Sequence, residues 1–197
     1  MWPAVISSSI LVLLQILRWP LVSLLTPFIE PFLELGVAFT VLVVAITSII
    51  HAIRRRKTEG LKAWLPFAIC LTAAVIVILV PFNALYLKVN FALLRHRRTN
   101  VAQQLLAGKT GTALRPGGRG DLVSLSPTDH WLSESGEVLI DHRDGKTFIL
   151  FFTFRGILDR FSGYVYSPTD DPPAKDQFLG DGIEINHVAP NWYWYAS

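Results

Sequence analysis

The chain of 197 residues is 51% hydrophobic and 17% charged, whereas soluble domains carry roughly 25% charge; its mean hydropathy is +0.41. A fully water-exposed globule is therefore excluded for the molecule as a whole, and a membrane protein is indicated. The net charge of +3 joins unlike halves: residues 1–99 hold ten Lys/Arg against three Asp/Glu, and residues 100–197 hold eight against twelve. The basic residues flank apolar segments, as membrane topology requires, rather than line a soluble face that would read nucleic acid.

The first apolar stretch, residues 3–28, is interrupted by Arg18. A secretory signal would place its charge before the apolar run and a small-residue cleavage site after it, and neither is present here. The stretch reads as a membrane span whose arginine reaches for the interface, or as a helix lying in the interface plane. Residues 35–53 contain no charged side chain and are long enough to cross ~30 Å of hydrocarbon; Arg54, Arg55, Arg56 and Lys57 follow at once, with a turn expected at residues 58–60. Residues 63–87 form a second uncharged run, in which Pro66 falls in the first turn and Pro81 lies inside as a kink site. The lone cysteine, Cys70, sits in this run and reads as a small core residue.

Beyond residue 87 the apolar residues Leu87, Phe91, Leu94, Val101 and Leu105 recur at helical spacing, an amphipathic stalk over residues 88–107. Arg95, Arg97 and Arg98 on this stalk read either as a solvated face or as contacts to anionic lipid head groups. Residues 108–121, rich in glycine, read as a linker. Two Gly-Lys-Thr triplets, at Gly108 and Gly145, lack the glycine five residues upstream that a phosphate loop requires, so nucleotide binding is not indicated.

The run at residues 148–154 is too short for a helical span and too rich in aromatics for a loop. With residues 138–142 and the turn Arg143, Asp144, Gly145 it forms a hairpin signal. Both faces of residues 148–154 are apolar, as in the centre of a sheet. Residues 122–126, 130–134, 162–167 and 183–188 and the closing segment with Trp192 and Trp194 supply further strands. The expected fold class is an α+β membrane protein: two or three transmembrane helices (spans about 3–28, 35–53 and 63–87), the stalk, the linker, and an antiparallel β domain of five to seven strands over residues 122–197.

Candidate chemistry is sparse. His130, His142 and His187 each lie near a carboxylate but lack the spacing of a metal motif, so they are weak zinc candidates at most. Ser162 beside Gly163, Asp159 and Arg160 lacks the glycine pattern of a nucleophile elbow. The almost uncharged spans argue against a channel or transporter. Tyr164, Tyr166, Trp192 and Trp194 alternate along two strands, and one aromatic face would form a partner surface. No cofactor is expected. The positive-inside rule puts residues 54–62 in the cytoplasm, which leaves the C-terminal half outside a bacterial plasma membrane. The expected function is binding another envelope protein as an accessory, assembly or immunity-type factor. The alternative is a membrane-bound, metal-dependent enzyme that uses the three histidines.

Overall fold

The computed structural model describes residues 1–19, 21, 29–108, 112–115, 120–156, 160–179 and 181–197, and the chain forms two compact units, Met1–Phe91 and Ala92–Ser197.

In the first unit, helices α1 (Trp2–Ile16), α2 (Glu30–Glu59) and α3 (Leu65–Leu79) each carry a proline in the first two positions, where the missing N–H has no helical partner anyway. Helix α1 packs on both α2 and α3, around a core of Ala4, Leu11, Val41 and Cys70. Small residues at Ala4 and Cys70 let the axes approach closely. The helical stretch Glu30–Leu79 is long and apolar enough to cross a membrane.

Three boundaries differ from expectation. Helix α2 does not stop at Arg54 but runs through the basic cluster to Glu59, because Arg and Lys are good helix formers and cations suit a helix C-terminus. Arg55 pairs with Glu59 one turn on, at 3.6 Å. Gly60, at φ +60, ends the helix, and a 3₁₀ turn, Gly60–Trp64, leads into α3. The second uncharged run is two helices rather than one kinked helix. Helix α3 ends at Leu79, Val80 is extended (φ −86, ψ 118), and α4 starts anew at Phe82, since Pro81 disfavours helical backbone in the residue before it. Helix α4 (Phe82–Leu106) then continues unbroken through the expected stalk. In the first stretch α1 ends at Ile16 and a turn falls at Leu17, after which Arg18, Trp19 and Leu21 are helical again; residues 20 and 22–28 of the expected span lie outside the described residues.

The second unit contains a seven-stranded antiparallel sheet in the order β1-β2-β3-β4-β5-β7-β6. Its strands are β1 (Thr112–Arg115), β2 (Asp121–Ser124), β3 (Glu137–Arg143), β4 (Lys146–Arg155), β5 (Phe161–Tyr166), β6 (Glu184–Ala189) and β7 (Trp192–Ala196). Strands β3 and β4 join through Asp144 and Gly145, both at positive φ, the two-residue turn whose twist matches the strands. Strand β4 occupies the centre of the sheet, and Phe151 (0% exposed) and Phe152 (4%) are buried on opposite faces. Strand β1 lies within the span expected to be linker; residues 109–111 and 116–119 of that span are outside the described residues. Residues 130–134 are not a strand. They fall in 3₁₀ turns His130–Leu132 and Glu134–Gly136, because Ser135 and Gly136 adopt positive φ and bend the chain while Leu132 is anchored in the interior.

Candidate functional site

Each face of the sheet is covered by a segment of the second unit itself. On one face Phe148, Leu150, Phe152, Val165, Tyr193 and Tyr195 form the core, with Phe178 closed over them. Phe178 belongs to a strap whose short 3₁₀ turn, Gln177–Leu179, is held by a buried carboxylate: Asp141 accepts hydrogen bonds from Gln177 Nε2 (2.9 Å) and the Phe178 amide (3.4 Å). The Tyr195 hydroxyl donates to the carbonyls of Lys175 (2.7 Å) and Gln177 (2.9 Å). Burial, with Asp176 adding, pushes that phenol up to about 12. Tyr193 donates to the Asp170 carbonyl at 2.7 Å and is also raised, first by burial. Asp171, bonded by Thr169 and paired with Lys146 at 2.9 Å, is lowered.

The opposite face holds the four aromatic residues expected to meet a partner. They do come together, since Tyr164 faces Trp194 and Tyr166 faces Trp192 across β5 and β7. Tyr164, Tyr166 and Trp192 are interior and Trp194 is half-buried. The C-terminal part of α4 lies over this face. Trp192 Nε1 donates to Thr99 Oγ1 at 3.2 Å, and Val101, Ala102 and Leu105 are buried. Tyr164, Tyr166 and Trp192 are therefore core rather than an open partner surface, and Trp194 lies at the margin of that core.

The basic residues of α4 divide accordingly. Arg95 is exposed. Arg97 pairs with Asp129 at 3.2 Å and stands 5.3 Å over the Trp131 ring. Arg98 is 2% exposed: its Nε donates to the Leu132 carbonyl at 2.9 Å, and its guanidinium lies 5.2 Å over the Tyr164 ring. Arg98 is thus a bolt between helix, turn and sheet rather than a head-group contact. The signal was present in the spacing: Arg98 falls four residues after Leu94 and three before Val101, on the apolar stripe itself. Of the other flanking cations, Arg54, Arg55, Arg56 and Lys57 are all exposed on the last turns of α2.

The three histidines are not brought together. His142 is on β3 and His187 on β6, four strand spacings apart in the sheet, or roughly 19 Å at ~4.8 Å each; His130 sits in a 3₁₀ turn packed on Gly136. His142 Nδ1 shares a hydrogen bond with Thr147 (3.0 Å), and His187 Nε2 is 3.5 Å from Asp170. Among the described residues no three His, Cys, Asp or Glu side chains are placed to hold a metal ion. Ser162 is buried within β5, its hydroxyl 3.3 Å from that of Thr153; Asp159 lies outside the described residues.

In the first unit, the charge that interrupts the first apolar stretch is neutralised. Arg18 pairs with Glu30 at 2.9 Å and Glu34 at 3.7 Å, and Gln15 Nε2 donates to Glu34. Arg18 is legible in the sequence as a costly charge, but its partners Glu30 and Glu34 lie beyond the stretch that contains it. Comparison with protein-family models, curated proteins and solved structures finds no match to this chain.

Proposed function

We propose that the first unit is embedded in a lipid bilayer and that the protein binds another envelope protein, as an accessory, assembly or immunity-type factor. One observation carries the membrane part. Phe32, Leu35, Phe39, Leu42, Ile46 and Ile53 on α2 are all exposed, spaced three, four or seven residues apart. From Phe32 to Ile53 the helix rises about 32 Å at ~1.5 Å per residue, close to the ~30 Å of a hydrocarbon layer. Glu30 bounds this stripe at one end and Arg54 at the other. So long an apolar face is costly in water and has its natural solvent in lipid. The protein is then integral to a membrane, with residues 54–62 cytoplasmic and Ser197 outside.

The partner reading rests on what the second unit leaves open. Trp131, Ile183 and Val188 are exposed, and β6 is an edge strand paired on one side only, to β7, a geometry able to accept a further strand. A metal-dependent enzyme would need His130, His142 and His187 at one point, and their places in the fold give that alternative no support.

Two measurements test the proposal. The full chain should stay with membranes through alkaline carbonate washing, and a reporter active only outside the cytoplasm should work when fused after Ser197; release by carbonate overturns the membrane reading, and activity of a cytoplasmic reporter alone reverses the topology. Crosslinking of the intact protein in native membranes should give one discrete heteromeric product that is lost on Ile183→Asp with Val188→Asp. A pattern unchanged by those substitutions overturns the assignment of this edge to a partner.

A further inference from the structure

We infer that the open edge of β6 takes an extended, basic strand of the partner protein, one that alternates aliphatic residues with Lys or Arg. The proposed assignment of this edge to a partner is the premise; what is added is the chemistry that the edge recognises.

Backbone direction leaves this edge open. Ile183 donates its N–H to the Ala196 carbonyl of β7 at 2.8 Å, and backbone groups turn to opposite sides at alternate residues of a strand. The N–H and C=O groups of Glu184 and Asn186 therefore point away from β7, on the side where β6 ends the sheet. Further along, the register shifts between His187 and Ala189, and Pro190 follows, so a regular ladder is available only over residues 183–187. An added strand completes that ladder, whereas a helix keeps its N–H and C=O groups for its own turns.

Side chains select the strand. Ile185 packs against the core under the strap, and Ile183, on the same face of β6, is 84% exposed; aliphatic residues of an added strand would cover it. The other face presents Glu184 and Asn186, both exposed, with the Asn186 amide donating to Glu184 at 2.6 Å. Charge around this edge is one-sided, since residues 167–197 hold five Asp/Glu and a single Lys. Asp171 pairs with Lys146, Asp176 with Arg143, and Asp170 lies 3.5 Å from His187. Asp181 and Glu184, at the start of β6, have no cationic partner among the described residues. A cation across the strand from Glu184 makes a favourable pair there, and a carboxylate an unfavourable one. A second copy of this chain fits poorly, because a two-fold contact sets the same acidic edge against itself.

The test uses the full chain in a nonionic detergent and short fluorescent peptides, with binding read by anisotropy. The probes are an alternating Lys-Val peptide, an alternating Glu-Val peptide, and the Lys-Val peptide N-methylated at every second residue, which keeps the charge but blocks the ladder. Only the first should bind the wild-type protein. Glu184→Lys should weaken it by about two- to thirtyfold, the range of a cross-strand charge pair turned from attraction to repulsion, and should admit the Glu-Val peptide. Asn186→Pro removes one outward N–H at an edge position, where proline is tolerated, and should weaken the Lys-Val peptide about tenfold. Failure of the Lys-Val peptide to bind the wild-type protein, or equal binding of either control, overturns the inference. Energy transfer between labelled copies of the protein that the Lys-Val peptide cannot displace replaces the partner strand by a second copy. The heteromeric crosslink in native membranes is read beside these results. A product lost on Ile183→Asp with Val188→Asp but indifferent to Glu184→Lys refutes only the basic strand, whereas a product indifferent to all of these substitutions refutes the assignment of the edge to a partner.

Discussion

Arg95 and Arg98 stand three residues apart on one helix, and the structure predicts that their replacement has very different consequences. Arg98→Ala removes a charge-assisted hydrogen bond to the Leu132 carbonyl at 2.9 Å, an interaction of ~1.5–3 kcal/mol. It also removes a cation over the Tyr164 ring at 5.2 Å, ~2 kcal/mol where desolvated. The two effects share one side chain and are not fully additive, so the expected loss is ~3–4 kcal/mol, a shift of at least about a hundredfold in the folded-to-unfolded ratio. Total stability of a domain is about 5–15 kcal/mol, so the second unit should become measurably labile. Arg95→Ala removes an exposed side chain and should change stability by less than about 0.5 kcal/mol. The assay is pulse proteolysis of the full chain in detergent over a urea series, following a tag after Ser197. A midpoint that falls sharply for Arg98→Ala and stays put for Arg95→Ala is expected. Equal behaviour of the two variants would refute the packing of α4 on the sheet.

Phe151→Ala and Phe152→Ala should each cost ~3–5 kcal/mol, because both rings are interior although they lie on opposite faces of β4; the same proteolysis reads this, and an unaffected midpoint for either would remove that face from the core. Gly163→Ala should destabilise more than its size suggests, since the new Cβ would lie 2.2 Å from the Phe151 carbonyl oxygen and the neighbouring strand must shift; wild-type thermal stability in this variant would contradict the close approach of β4 and β5. Tyr195 is raised to about 12 from an ordinary 10, so the unfolded chain ionises first. The stability its neutral form contributes is complete below pH 10 and lost as pH rises toward 12. Tyr195→Phe should be ~1–3 kcal/mol less stable at pH 7, where the Lys175 and Gln177 carbonyls lose their donor, yet should decline less steeply above pH 10; parallel alkaline profiles would refute the assignment.

Elements whose causes lie within a few residues were legible before any fold was known. The uncharged run before Arg54, the Asp144–Gly145 turn, and the two-sided apolar pattern of residues 148–154 each carry their reason within a few neighbouring residues, and helix, hairpin and central strand followed. Pro81 was legible as a break point, though whether it bends a helix or divides it in two depends on the backbone of Val80. The partners of single side chains were decided only by tertiary structure. Arg18 reads as a costly charge until Glu30 and Glu34 are placed beside it. Tyr164, Tyr166 and Trp192 read as core only if theirs is the inward face, and which face is inward is decided when α4 is laid across them. Arg98 reads as one of a basic cluster until Leu132, 34 residues away in the chain, accepts its hydrogen bond. Periodicity records which residues share a face of one element; which second element covers that face is set by contacts between residues distant in the chain, and no local pattern encodes those.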